Sequence, residues 1–270
     1  MAAAQAHYDA KADSATHTGR SELQRFHNAA KRRLLTMFAT GASRLLDLAC
    51  GRGGDIHKWR ALGIPHVTGL DISGESIREA RSRLRATGDL TLDYTFEQVD
   101  LRQGRWQGQA RYDVVTCMFA LHYFFESEAS AHALLRCAAD NLKPGGVFLG
   151  IVPDGIQVNE RIRLGPFDNG VLRVQALWQG KPACFGSAYT CSIAGTVTEG
   201  SEVPEYLVYG SVLEKLAGLY GFEPLPIRNR CFEHQHRGLF HRLRPPYGEP
   251  YASGSSMYAA FALRRKTGTL

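Results

Sequence analysis

Short apolar runs alternate with amphipathic stretches through the first 153 residues. Leu45-Leu46-Asp47-Leu48 reads as a buried strand, and Val67 to Leu70, Thr95 to Val99, Tyr112 to Met118 and Val147 to Val152 repeat the signal. Helical patterns fill the intervals. Leu23, Phe26, Ala30 and Leu34 share one face of a helix from Glu22 to about Phe38, with Ser21 as its cap. A second helix runs from Asp55, an N-cap or first-turn residue, through Trp59 and Leu62 until Gly63-Ile64-Pro65 stops it. Ser73 caps a third, Gly74 to Ala86, which bears Arg78, Arg81, Arg83 and Arg85. Glu128 to Leu142 is the fourth, closed by Lys143-Pro144-Gly145-Gly146.

Ile156 to Val203 breaks this rhythm. It carries a short helix (Gln157 to Arg163) and two β-like runs, Val171 to Trp178 and Ser187 to Val197, which predict an inserted antiparallel lid. Pro204-Glu205-Tyr206-Leu207 leads into a helix Val212 to Tyr220, and Phe222 to Arg228 and Met257 to Leu263 are the last strands. The long basic loop between them, Asn229 to Ser256, is expected to be functional or mobile. The chain is thus expected to be one α/β domain in four parts: a cover segment over 1–40, a nucleotide-binding core over 44–153, the lid over 156–203 and the rest of the sheet over 204–270. Seven strands, mostly parallel, with helices on both faces and an antiparallel end, predict the Rossmann-like class I methyltransferase sheet.

The turn after the first strand, Gly51-Arg52-Gly53-Gly54, separates cofactors. A dinucleotide site places G-x-G-x-x-G under a pyrophosphate; here the third glycine has the wrong spacing and Asp55 follows it. An acid suits a ligand with positive charge and no phosphate, which describes S-adenosylmethionine, leaving S-adenosylhomocysteine as product. Asp71, ending the second strand, is placed to accept the ribose hydroxyls, and Asp100, after the third, to meet adenine N6. A glycine turn alone also fits an ordinary structural loop.

The bulk numbers narrow the picture. At 270 residues and 44% apolar, the chain can bury a full core. No run approaches the roughly 20 apolar residues of a membrane span, and MAAAQAHYDAK lacks the pattern of a signal peptide, so neither membrane nor secretion is expected. The six cysteines include no C-x-x-C pair; Cys50, Cys117 and Cys137 fall in expected core elements, which favours a reducing compartment and no zinc site. Net charge is +6, but the two ends supply +9 and the middle −3. Basic ends beside one cleft would attract a polyanion; solvated termini fit equally simply.

The acceptor leaves no nucleophile signature. No N/D-P-P-Y/F tetrad follows the fourth strand, where Phe119-Ala120-Leu121-His122-Tyr123 stands instead, and Pro245-Pro246-Tyr247 lies far along in a loop. No cysteine sits where a pyrimidine C5 enzyme needs one. Over almost its whole length the chain resembles the mRNA cap guanine-N7 methyltransferases of eukaryotes and viruses. The matching pieces are His7-Tyr8, Phe26-His27-Asn28 with Lys31, LDLACGRGGD with Lys58 and Trp59, Leu70-Asp71-Ile72, Phe119 to Tyr123 with Phe125-Glu126-Ser127, Pro144-Gly145-Gly146, Val152-Pro153, VPEYLVY (203–209) and Ser256-Met257-Tyr258. Ala49 stands where the family's first glycine is usual, His27 where asparagine is common, Arg52 for lysine, and Met118 and Ala120 for polar residues. The family's longer basic N-terminal extension has no counterpart here, as expected of a parasite or viral enzyme or of one domain of a larger capping protein.

The resemblance implies methyl transfer from S-adenosylmethionine to N7 of the guanine in GpppN-capped RNA, by in-line displacement without a general base. It implies that Lys31, Ala49, Gly51, Asp71, Asp100 and Tyr123 hold the cofactor. It implies that Asn28, Arg52, Lys58, Arg83, His122, Pro153, Glu205 and Tyr258 form the cap site, with Glu205 reading guanine N1–H and the 2-amino group, His122 donating to O6, and Arg52, Lys58 and Arg83 on the phosphates. No residue is expected as general acid or base, and no metal. A monomer is expected, nuclear, or cytoplasmic if viral, meeting other capping enzymes or the RNA polymerase machinery. Taken singly, Glu205 also fits a helix-start acid, His122 a strand-end histidine, Arg83 a solvated face and Tyr258 plain core. The alternatives on the same sheet are a methyltransferase for a small molecule or another RNA base, and a non-catalytic subunit.

Overall fold

The computed structural model describes residues 22–102, 105–194, 196, 198–200, 202–233 and 238–267. The expectations for Met1 to Ser21, with the Ser21 cap and the His7-Tyr8 pair, and for the strand end at Val197, lie outside the described residues. The main sheet runs, in spatial order, β10 (Phe222–Pro224), β12 (Tyr258–Arg265), β5 (Leu142–Pro153), β4 (Tyr112–Met118), β1 (Arg44–Leu48), β2 (His66–Asp71) and β3 (Asp93–Gln98). β1 to β5 are parallel, while β12 runs antiparallel to both β5 and β10. The expected seven strands form this path. An eighth, β11 (His241–Arg242), lies inside the long basic loop and shares an edge of β12 with β10, so that loop is partly pinned to the sheet.

Two apolar layers flank the sheet. Leu34 of α1 (Glu22–Ala39), Trp59 of α2 (Ile56–Ala61) and Ile77 of α3 (Gly74–Ala86) bury one face. Leu134 and Leu135 of α4 (Glu128–Asn141) and Leu213 and Ala217 of α6 (Gly210–Leu219) bury the other. Ser73 caps α3 by accepting from Ser76 N at 3.0 Å, as its spacing predicts. Asp55 does not cap α2: it occupies the N-cap position, but its carboxylate makes no cap bond because two lysines take it. β5 begins earlier than expected, at Leu142, directly off α4; Gly145 (φ +80) and a register shift between Tyr112 and Val114 absorb the bend.

The insertion builds a separate antiparallel sheet in the order β6 (Phe167–Asp168), β7 (Leu172–Ala176), β8 (Ala188–Ile193), β9 (Pro204–Tyr206). It follows α5 (Gly155–Ile162). Leu172, Val174, Tyr189, Cys191 and Ile193 form its buried row, in one cluster with Leu23 and Phe26 of α1 and Val158 of α5. Arg173 and Gln175 face outward, the alternation of a half-buried sheet. The lid extends beyond the expected boundary at 203. Pro204 to Tyr206 is its edge strand, because Glu205 pairs across from Tyr189 with its side chain buried; that placement rules out the helix-start reading of Glu205.

Candidate active site: a charged cleft and a buried niche

The first half of the site grows from the turn after β1. Ala49 (φ 60) and Gly51 (φ 53) both take the left-handed conformation, which costs a non-glycine residue about 1 kcal/mol. The turn is braced from β2: Cys50 N donates to Leu70 O at 2.9 Å and Gly51 N to Asp71 Oδ2 at 2.7 Å, while Asp71 Oδ1 accepts from Ser73 N at 2.9 Å. A Cβ added at Gly51 would meet no atom within 4 Å, so this side of the turn is open for a ligand to approach the backbone. Asp47 lies buried beneath it, bonded by Thr116 Oγ1, and burial followed by the charge of Asp55 pushes its carboxyl up to about 7.

Charges interlock around this turn. Asp55 Oδ2 takes Lys31 Nζ at 2.8 Å and Oδ1 faces Lys58 Nζ at 2.6 Å. Burial alone would raise the Asp55 carboxyl, but the two ammonium groups hold it down to about 2. Lys58 is buried, and its Nζ also donates to Asn28 Oδ1 at 2.8 Å, so it reaches a phosphate only by leaving these partners. Lys31 Nζ lies 5.5 Å from the centre of the Phe119 ring. Beyond β3, Asp100 is gripped by Arg102, Nε to Oδ1 at 2.9 Å and a terminal nitrogen to Oδ2 at 2.7 Å. Burial works against ionisation there, and the Arg102 bonds outweigh it, leaving the Asp100 carboxyl below its ordinary value.

The second half lies where β4 ends and the lid closes over it. Phe119 (φ 60) turns the chain into a short 3₁₀ helix, Leu121–Glu126, that carries His122 and Tyr123. The two rings lie 4.2 Å apart. His122 Nε2 is 3.7 Å from Glu205 Oε2, and both side chains are almost wholly buried. Burial lowers the His122 pKa to about 3. Burial raises Glu205 to about 7, with the Tyr189 hydroxyl opposing. At neutral pH the contact therefore joins a neutral imidazole to a carboxyl near its midpoint; it is not an ion pair. Both His122 ring nitrogens, Glu205 Oε2 and the Tyr189 hydroxyl are buried without an aligned hydrogen-bond partner. Such groups cost free energy unless something satisfies them.

An aromatic wall joins the halves. Tyr258 opens β12 opposite Pro153. Its ring meets Phe119 edge-on at 5.0 Å and His27 at 5.3 Å, while His27 stacks on Phe119 at 5.0 Å and sits 3.0 Å from Ser255 Oγ. The structure thus gathers Asn28, Lys31, Ala49, Gly51, Lys58 and Asp71 around one turn, His122, Tyr123 and Glu205 in one niche, and Pro153 with Tyr258 beside them. Arg52 is half-buried on the turn itself, and Arg83 stands on exposed α3, paired with Glu79 at 2.8 Å. Sequence reasoning missed Tyr189, although the alternation Tyr189, Cys191, Ile193 marks its buried face. It missed the Lys31–Asp55–Lys58 cluster as well, whose members are separated in the chain.

Comparison with known proteins places the chain in a family. A family model described as the mRNA (guanine-N(7))-methyltransferase domain matches residues 2–234. An mRNA cap guanine-N(7) methyltransferase of Caenorhabditis elegans is 34% identical over 205 residues, 69% of this chain and 52% of that protein. One of Saccharomyces cerevisiae is 32% identical over 231 residues, 75% of this chain and 51% of that protein. The chain spans about half the length of the curated relatives it matches. Among solved structures, an S-adenosylmethionine-dependent methyltransferase from Clostridium acetobutylicum aligns over 92% of this chain and 93% of its own with a TM-score of 0.56 at 14% identity. CalS10, an amino pentose methyltransferase of Micromonospora echinaspora solved with S-adenosylmethionine bound, aligns over 92% and 93% with a TM-score of 0.51 at 18% identity. The sheet order agrees with the fold of these neighbours, and the family match covers both halves of the site: the chain belongs to the mRNA (guanine-N(7))-methyltransferase family of S-adenosylmethionine-dependent methyltransferases.

Proposed function

We propose that this chain transfers a methyl group from S-adenosylmethionine to N7 of the terminal guanine of GpppN-capped RNA. The observation that carries the reading is the buried niche: His122, Glu205 and Tyr189 lie against one another, yet both His122 ring nitrogens, Glu205 Oε2 and the Tyr189 hydroxyl have no well-aligned hydrogen bond. A guanine edge supplies partners. N1–H and the 2-amino group match the Glu205 carboxylate, and O6 matches an N–H of the neutral His122. Adenine would leave the carboxylate unsatisfied, which is how a buried polar site rejects an analogue.

The cleft fits the cofactor by the same logic. The open face at Gly51 allows close approach, Asp71 at the end of β2 offers acceptors for ribose hydroxyls, and Lys31 offers a cation to the methionine carboxylate once it leaves Asp55. Bound there, S-adenosylmethionine would supply an electrophilic methyl on a sulfonium. Guanine N7 carries a lone pair and no proton, so no group need remove one. The protein's part is to align N7 with the methyl and to keep water out, and orientation of this kind accounts for many orders of magnitude in rate. The Asp71 carboxylate suits the cationic cofactor and the cationic purine that forms, whereas Asp55, expected from the sequence to face that charge, is already taken by Lys31 and Lys58. Nuclear residence and work as a monomer within a capping apparatus extend this reading; the relatives from nematodes, a fly and yeasts support the first.

The test is methyl transfer from labelled S-adenosylmethionine to GpppG-RNA, ApppG-RNA and uncapped RNA, with product nucleosides identified. N7-methylguanosine from GpppG-RNA alone is expected. Transfer to an internal base or a free metabolite, or cofactor binding without transfer, would overturn the assignment.

A further inference from the structure

A second basic feature lies outside this site. The connection from β3 to β4 carries no helix among its described residues; it is tied to the end of α4, where Gly108 N donates to Asn141 Oδ1 at 2.8 Å and Asn141 Nδ2 to Trp106 O at 3.2 Å, and leaves a gap beside that helix. A cavity of about 210 Å³ occupies the gap, lined by Arg102, Arg105, Trp106, Ala133, Arg136, Cys137 and Asp140. Three guanidiniums face one carboxylate. Arg105 and Arg136 are exposed and form no ion pair or hydrogen bond with the described residues, whereas Arg102 is committed to Asp100 and Glu126. Trp106 is half-buried between them, its Nε1 tied to Glu97 at 3.0 Å, so its indole is fixed in place.

The cavity is smaller than the roughly 300–1,000 Å³ typical of small-molecule sites. It suits one charged group of a longer ligand. Unpaired guanidiniums beside a fixed aromatic plane are the elements that grip a phosphodiester and stack on its base. A chain of side-chain contacts links the cavity wall to the active site. Arg102 bonds Asp100 on one side and reaches Glu126 at 3.4 Å on the other, and Glu126 interacts with Tyr206, the neighbour of Glu205 in β9.

We propose that the Arg105–Trp106–Arg136 cavity is a binding subsite for the RNA strand downstream of the methylated end, taking a backbone phosphate with its nucleotide and reading no sequence. It rests on capped RNA as substrate and adds a contact beyond the cap. Arg105 and Arg136 neutralise phosphate, Trp106 is the stacking surface, and Arg102 links the subsite to the cleft.

The test compares the intact chain with Arg105→Ala/Arg136→Ala, assayed on the dinucleotide cap GpppG and on GpppG-capped RNA of about 20 nucleotides from low to high salt. The double variant is expected to raise KM for capped RNA about five- to tenfold at low salt, and to reduce the salt slope by about 0.7, the share of one phosphate contact on a single strand. Its kinetics on GpppG should not change. Lys215→Ala/Arg264→Ala, exposed residues elsewhere that remove the same charge, should leave both substrates unaffected. Equal KM and equal slope on capped RNA, with methylation intact, would overturn the subsite and leave the cap reading standing. Binding of uncapped RNA by fluorescence anisotropy decides the matter separately from catalysis: weaker binding by the double variant supports the subsite even if cap methylation fails. Unaltered RNA binding alongside lost binding of an acidic peptide overturns it in favour of a protein partner.

Discussion

The two halves of the site solve opposite electrostatic problems. Around the glycine turn the described charges have partners: Lys31 and Lys58 share Asp55, Asp71 takes backbone N–H groups, and Asp100 is held by Arg102. In the niche under the lid, His122, Glu205 and Tyr189 are buried with polar atoms unmatched, and burial drives the first two toward their neutral forms. A ligand entering the first half must exchange partners, so affinity there is a difference between two satisfied states. A ligand entering the second completes a set that the folded chain leaves open, so discrimination there is steep.

The largest break in this comparison is expected from Glu205→Ala. Losing one side of a buried polar match typically removes 2–5 kcal/mol, so kcat/KM for GpppG-RNA should fall roughly 10²–10³-fold while the cofactor dissociation constant, measured by calorimetry, stays within about threefold. An equal loss of cofactor affinity would show that the halves are not independent.

Stability should respond with opposite sign on the two sides. Asp55→Asn strips buried Lys58 of its counter-charge and should destabilise the protein by about 3 kcal/mol in urea unfolding at pH 8. Glu205→Gln at the same pH removes a carboxylate that the fold disfavours and should be neutral or stabilising. The pH dependence follows. The Glu205 pKa rises from 4.5 to about 7 on folding, so its contribution to stability is complete below 4.5 and is lost as pH rises through 7, a change on the order of a few kcal/mol. His122 falls from 6.5 to about 3, so its contribution is present above 6.5 and is lost as pH drops from there toward 3. Glu205→Gln should therefore flatten the fall in stability between pH 4.5 and 7. In the unaltered chain KM for capped RNA should decrease as pH rises through 7, because the ionised carboxylate is the form that accepts two N–H groups.

The smallest effect is expected at Ala49. With φ at 60, Ala49→Gly should add up to about 1 kcal/mol of stability by thermal unfolding, by relieving a left-handed alanine. No gain would mean that contacts of the methyl group offset the strain.

How much of this was legible follows the range of the signals. β4 at Tyr112–Met118 and α3 at Gly74–Ala86 match their expected bounds because strand runs and the Ser73 cap are local. The lid boundary was missed because Pro204-Glu205 reads locally as a helix start; pairing with β8, which makes it a strand, depends on Ala188 to Thr190, well back along the chain. The grouping of Lys31, Asn28, Lys58 and Asp55 was likewise hidden, since α1 meets the turn only after folding. The family resemblance supplied Glu205 and His122. Only the folded structure shows that they meet beside Tyr189, and that Arg102 already occupies Asp100.

Glu205 sits on a three-residue edge strand of one sheet and His122 on the rim of another. On the proposed reading, base recognition is a joint between two modules with separate strand pairing, closed across a gap of 3.7 Å. Such a joint divides mutational load unevenly. The lid can drift in sequence, and even be rebuilt, as long as one carboxylate returns to the same point, while the nucleotide sheet stays fixed. Acceptor preference is then the trait most open to change in this architecture, and cofactor choice the least.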